Sequence, residues 1–291
     1  MKYLANPTET KAVLDYFGFD TKKKFGQNFL IDENIVRKIV AGAGVMKDDG
    51  VLEIGPGIGT MTQILCESAR SVTAVEIDKT LMPVLETTLS AFDNVHVIND
   101  DILKCNIKEL SEEFNSGEPF KVVANLPYYI TTPIIMGLLE GPAGEGLVDS
   151  ITVMIQKEVA DRINAKPATK DYGALTLAVE YYSRIVKVAD VSAHCFMPRP
   201  NVDSTVIKLE LYKDKAVKVK DEKFLFKLIK AAFAQRRKTM VNSVSAVTDI
   251  SKDDIRKALA DIGKDENVRG ETLSLEEFAK LSDIFSLRTV L

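Results

Sequence analysis

Four consecutive residues, Asn125-Leu126-Pro127-Tyr128, have the right types and order to hold an aromatic amine. Pro127 lacks an N–H and keeps the residue before it extended, which frees the Leu126 carbonyl to point away from the chain. The Asn125 side-chain oxygen becomes a second acceptor close by. Two adjacent acceptors suit one group above all, an NH₂ with two protons to donate. Holding both protons draws the nitrogen lone pair out of conjugation with its ring, where it can attack a methyl sulfonium. Tyr128 adds a flat face on which a base taken out of its stack can rest.

A second set of residues surrounds a glycine turn. The segment Val51-Leu52-Glu53-Ile54-Gly55-Pro56-Gly57-Ile58-Gly59-Thr60 reads as strand, turn and helix. Glycines serve where the backbone turns tightly and must approach a ligand without a Cβ in the way. The nicotinamide fingerprint would need a glycine at position 60, where this chain has Thr60. Glu76 ends the next apolar run, and Asp101 follows the one after it. A carboxylate at the first place can accept from both hydroxyls of a ribose, and one at the second from the exocyclic amine of an adenine. Singly, each has a plain reading as a turn or a solvated strand end. Three consecutive strand ends carrying glycines, an acid and an acid make a nucleoside pocket at the carboxyl edge of a parallel sheet.

Such an edge needs alternating strands and helices, and the hydrophobic pattern supplies them. Strands are predicted over 51–54, 71–75, 95–98, 121–124, 150–155 and 204–211. Helices are predicted over 60–70, 80–89, 133–139 and 174–182, and Asp32 reads as the N-cap of an earlier one that ends at Gly42 and Gly44. After Tyr212 the chain turns Lys-rich and helical, over 224–240, 253–262 and 275–285. An α/β domain over 1–212 and a small helical domain over 213–291 follow, with the boundary near 212–220.

Composition narrows the function. At 291 residues and 46% hydrophobic, the chain can bury a large core, and wholesale disorder is excluded. No apolar run reaches the length of a membrane span, and the first residues turn polar before a secretory signal could form. Cys66, Cys105 and Cys195 are scattered, as are His96 and His194, so no metal site and a reduced, cytoplasmic setting are expected. The net charge of −4 hides an asymmetry: residues 213–240 hold 10 Lys and Arg against 3 Asp and Glu. Arg236, Arg237 and Lys238 fall within that stretch, on the helix predicted over 224–240, while Lys22, Lys23 and Lys24 form a second cluster. Both are candidates for phosphate contacts with RNA, although a basic run is more often a solvated face.

Together the G-P-G-I-G turn, Glu76, Asp101 and N-L-P-Y resemble the ribosomal RNA adenine N6,N6-dimethyltransferases, most of all the type acting on two adjacent adenines near the 3′ end of small-subunit RNA. Lys24-Phe25-Gly26-Gln27-Asn28-Phe29-Leu30 is similar to the family's amino-terminal signature. Phe196-Met197-Pro198-Arg199-Pro200-Asn201-Val202-Asp203-Ser204 is similar to its F-x-P-x-P-x-V-x-S loop, and 232–239 to its basic helix. The resemblance spans nearly the whole chain. It implies a Rossmann-like methyltransferase domain with a mostly parallel sheet, using S-adenosyl-L-methionine, whose first 30 residues touch cofactor and RNA. The implied cofactor contacts are Asn28, Leu30, Gly55, Gly57, Glu76, Asp101 and Asn125. Asn125 and Leu126 would hold the target amine, with Pro127 shaping the turn, and Tyr128 and Phe196 would sandwich the base. The implied partner is small-subunit ribosomal RNA in a pre-mature subunit, with the C-terminal domain helping to bind it. The alternatives are a large-subunit adenine methyltransferase of the resistance type, a non-catalytic RNA-binding assembly factor, and a DNA adenine methyltransferase. The last usually has two prolines after the acid or Asn, where this chain has Leu126 and Pro127.

Overall fold

A computed structural model describes residues 3–19 and 27–288. Among these residues nine strands run in chain order as β1 (Phe29–Leu30), β2 (Gly50–Ile54), β3 (Ser71–Glu76), β4 (Val95–Asn99), β5 (Phe120–Asn125), β6 (Val148–Gln156), β7 (Ser183–Val191), β8 (Phe196–Met197) and β9 (Ser204–Leu211). Seven form one sheet in the order β4-β3-β2-β5-β6-β9-β7, and β1 pairs with β8 in a small antiparallel ladder. The pairs β2/β3, β3/β4, β2/β5 and β5/β6 are parallel, while β6/β9 is antiparallel. All five residues of β2 are buried, so apart from Glu53 the strand reads as an apolar run rather than an alternating one.

Helices are α1 (Pro7–Tyr16), α2 (Glu33–Ala43), α3 (Thr60–Ser68), α4 (Met82–Thr88), α5 (Ile107–Phe114), α6 (Thr131–Glu140), α7 (Lys157–Ile163), α8 (Ala174–Tyr182), α9 (Glu222–Ala234), α10 (Met240–Ser245), α11 (Lys252–Asp261) and α12 (Leu275–Arg288). The Asp32 carboxylate accepts from the N–H groups of Asn34 and Ile35, and α2 stops at Gly44, in left-handed conformation. Six elements stand outside the predicted pattern: α1, α5, α7, β1, β7 and β8. The helix predicted over 224–240 is two, because α9 ends at Ala234 and Thr239 caps α10 by accepting from the Asn242 N–H.

Contacts divide the chain into two units, Met1–Ala160 with Ile185–Leu211, and Asp161–Arg184 with Tyr212–Leu291. A single cut near 212–220 misses the excursion Asp161–Arg184. Its aromatic residues tie it into the second unit: the Tyr172 hydroxyl donates to the Leu273 carbonyl (2.8 Å), and those of Tyr181 and Tyr182 donate to the Glu222 carboxylate (3.0 and 2.6 Å).

Candidate active site

From β2 the strand order runs one way through β3 and β4 and the other way through β5 and β6. Where the order reverses, helices leave to opposite faces and a crevice opens beyond the carboxyl ends of the strands. A cavity sits there. Its walls include Gly55 and Gly57 after β2, Glu76 at the end of β3, Asp101 after β4, and Asn125, Leu126, Pro127 and Tyr128 at the end of β5. Asn28 and Leu30 close it from the amino-terminal segment. Ten candidates scattered over about a hundred residues are thus brought together by one sheet edge.

The turn after β2 uses glycine for two reasons. Gly55, Gly57 and Gly59 all have left-handed φ, at 70°, 62° and 91°. At Gly57 a Cβ would also press on the Phe29 ring at 3.0 Å, whereas at Gly55 it would meet no protein atom. Space for a ligand is thereby kept beside Gly55. Glu76 is buried, and one carboxylate oxygen accepts from the Gly57 N–H (3.1 Å), the other from the Asp78 N–H (2.8 Å). Burial pushes its pKa up, and these N–H groups pull it partway back. Asp78 in turn accepts from the Gln27 side chain (3.2 Å), which pins the amino-terminal segment to the same strand end.

At the end of β5, the Asn125 side-chain NH₂ donates to the Asn28 carbonyl (3.0 Å). A carbonyl can only accept, so the orientation of the amide is settled and its oxygen is left as the acceptor. The Leu126 N–H donates to Met154 on β6, and no donor among the described residues takes the Leu126 carbonyl. The Tyr128 hydroxyl is 3.0 Å from that of Ser204, the last residue of the proline-rich loop motif, and this bond fixes the ring.

Phe196 stands elsewhere. It is 3% exposed, pairs with Leu30 across the β1/β8 ladder, and packs with Met154 and Val206 in the core rather than lining the cavity. In this placement the expected base sandwich has only its Tyr128 face. The basic residues are also corrected in part. Gln235–Lys238 lie in an exposed turn between α9 and α10, not on a helix. Arg236 is occupied there: its guanidinium donates to the carbonyls of Lys170 and Tyr172 and lies 3.4 Å from the Glu271 carboxylate. Arg237 and Lys238 point into solvent. Lys22, Lys23 and Lys24 lie outside the described residues, and so do Phe25 and Gly26 of the amino-terminal signature.

Two cavity residues carry signals that sequence reasoning passed over. Glu53 on β2 lines the floor, is 1% exposed, and has one carboxylate oxygen without a hydrogen-bond partner. Burial pushes its pKa to about 8, helped by the nearby Glu76. A charged residue in the middle of an otherwise apolar strand was the available clue. Thr60, at the start of α3, likewise lines the cavity with a buried, unpartnered hydroxyl. Among the described residues, no three His, Cys, Asp or Glu converge as a metal site.

A sheet whose strand order reverses beside a cavity lined by a glycine turn, two strand-end acids and Asn-Leu-Pro-Tyr has the fold of the methyltransferases that use a nucleoside cofactor. Comparison with known proteins agrees and goes further. The family of ribosomal RNA adenine dimethylases matches residues 18–286. A ribosomal RNA small subunit methyltransferase A of Lachnoclostridium phytofermentans is 58% identical over 287 residues, covering 98% of each chain. Among solved structures, a dimethyladenosine transferase from Plasmodium falciparum shares the fold at a TM-score of 0.70, with 24% identity over 87% of this chain and 95% of that one. The 23S rRNA methyltransferase ErmE aligns at a TM-score of 0.66, with 26% identity over 89% of this chain and 100% of that one. The chain belongs to the ribosomal RNA adenine dimethylase family.

Proposed function

We propose that this protein transfers methyl groups to the N6 amines of two adjacent adenines near the 3′ end of small-subunit ribosomal RNA, giving N6,N6-dimethyladenosine, in the cytoplasm and on a pre-mature small subunit. The observation that carries it is the Asn125 amide, whose NH₂ is spent on Asn28 and whose oxygen is therefore an acceptor. With the Leu126 carbonyl it offers the two acceptors that an adenine amine needs. Tyr128, locked through Ser204, is the face on which the base lies. Lysine and arginine side chains of the second unit, Arg237 and Lys238 among them, are assigned to RNA phosphates, as are Lys22, Lys23 and Lys24.

The residues present suit S-adenosyl-L-methionine. Glu76 can take ribose hydroxyls on lone pairs its N–H partners leave free, and Asp101 the adenine amine. Asn28, Leu30, Gly55 and Gly57 border the same space, and the orphaned oxygens of Glu53 and Thr60 call for hydrogen-bond partners from a bound group. That cofactor, when bound, supplies an electrophilic methyl on sulfur. The chain's part is to fix the amine's two protons, exclude water from the crevice and keep the base flat. Positioning and charge placement of this kind account for most of what such a site can contribute.

Labelled S-adenosyl-L-methionine, incubated with the protein and separated ribosomal particles, tests the reading. Dimethyladenosine in small-subunit RNA is the expected product. Label confined to large-subunit RNA would move the assignment to the resistance-type reaction.

A further inference from the structure

Tyr128 and Tyr129 are consecutive but differently treated by the fold. Tyr128 is half-buried and its hydroxyl is bonded to Ser204, whereas Tyr129 is 62% exposed at the lip of the same cavity. Single exposed apolar side chains are common and need no explanation. An exposed aromatic ring beside a base-holding tyrosine is a different matter, because it costs apolar area in water at the one place where an RNA base must arrive. Ile77, 46% exposed, lines the cavity too and follows the ribose-facing Glu76.

Taking one base out of its stack leaves the next base with a bare face. In a reaction on two adjacent adenines that next base is itself a substrate, and it must stay within one nucleotide of the cavity. We propose that Tyr129 is the platform on which the adenine neighbouring the reacting one stacks while its partner is held by Asn125, Leu126 and Tyr128. This rests on the function proposed above. Stacking needs only a ring face and no particular hydrogen bond, so one platform serves either adenine in turn. Tyr129 is in these terms a positioning residue: it delivers the second adenine and takes no part in methyl transfer.

The test uses the full-length protein and small ribosomal particles whose RNA lacks these methyl groups. Tyr129→Ala should raise the KM for particles between about fivefold and about a hundredfold, the range for losing one base–aromatic stack. It should also leave one of the two adenines under-methylated when products are resolved by mass spectrometry. Cofactor affinity by calorimetry should stay at the wild-type value, which also checks that the variant is folded. Tyr129→Phe should restore both KM and product ratio, and Tyr129→Leu, apolar without a ring, should not. Wild-type KM and product ratio in Tyr129→Ala, or a defect that Phe fails to repair, would overturn the assignment while the function stands. If the wild-type protein leaves small-subunit adenines unmodified, the function falls and this proposal falls with it.

Discussion

The cavity at the sheet's carboxyl edge and the basic turn at 235–238 use polar side chains in opposite ways. In the cavity two key polar groups have a fixed direction: Glu76 is held by two backbone N–H groups, and Asn125 is turned by Asn28. In the turn, Arg237 and Lys238 are exposed and have only charge to offer, while Arg236 beside them is tied to backbone carbonyls and Glu271. Chemistry on one amine needs fixed acceptors, and fixing them takes burial. Contact with phosphates needs only charge near a surface, and it survives mobility. Equal charge in the sequence therefore does not mean equal work, as Arg236 demonstrates.

Breaking the cavity should have the largest effect. Asn125→Ala is expected to lower the single-turnover methylation rate by about a hundredfold with cofactor affinity little changed. Asn125→Asp sharpens the point. It keeps the size but would set a carboxylate against the Asn28 carbonyl, so it should be no better than Ala. Next comes Glu76→Ala, for which calorimetry should show S-adenosyl-L-methionine affinity falling roughly five- to a hundredfold, since an unpaired buried polar group costs about 1–3 kcal/mol. The N–H groups of Gly57 and Asp78 would also lose their acceptor.

Breaking the turn should read out in salt. Replacing Arg237 and Lys238 together by Ala should flatten the log–log dependence of RNA binding on salt by about 0.7–0.9 per lost contact, with cofactor affinity unchanged. Arg236→Ala should do something else: a stability loss of about 1 kcal/mol in denaturant titration, reflecting a half-exposed guanidinium with several partners, and little change in slope. Equal salt effects from all three residues would erase the contrast.

A separate readout, stability against pH, concerns Glu53. Its folded-state pKa, about 8, lies above the ordinary 4.5. Between those values the folded protein keeps a proton that the unfolded chain releases, so stability falls as pH rises through that window. Glu53→Gln is neutral throughout and should escape the loss. Denaturant midpoints of the two proteins should therefore separate, in favour of Gln, on going from about pH 5 to about pH 8. Parallel curves would mean that Glu53 is already ionised in the fold.

Much of the site was legible because its residues sit at strand ends, where an abrupt switch from apolar to glycine, acid or Asn-Leu-Pro-Tyr stands out. The sheet was legible for the same reason, and α8 and β9 match their predicted limits, 174–182 and 204–211. What escaped depends on partners distant in sequence. The pattern over 224–240 is continuous, and nothing local reveals that Arg236 reaches Tyr172 and Glu271 while Thr239 starts a new helix. Beside two prolines Phe196 reads by itself as a core aromatic, where its pairing with Leu30 puts it; the stacking role came only from the family resemblance. β7 lies at the sheet edge with several exposed residues, so its alternation is blurred, and α5 is only eight residues long, with three large apolar side chains, Ile107, Leu110 and Phe114.

The excursion Asp161–Arg184 sets a timetable for the protein's own birth. Tyr172, Tyr181 and Tyr182 are made early, but their partners Leu273 and Glu222 come much later in the chain. A chain leaving the ribosome at about 5–20 residues per second holds the earliest of these aromatics uncovered for several seconds. Over that interval the nascent chain presents three tyrosines as a loose loop, open to chaperones and to proteases. A chain stopped after Leu211 would present them permanently, so trimming the C-terminal helices does not yield a clean smaller enzyme. Excising the second unit takes three cuts, two of them inside what sequence alone reads as the catalytic domain.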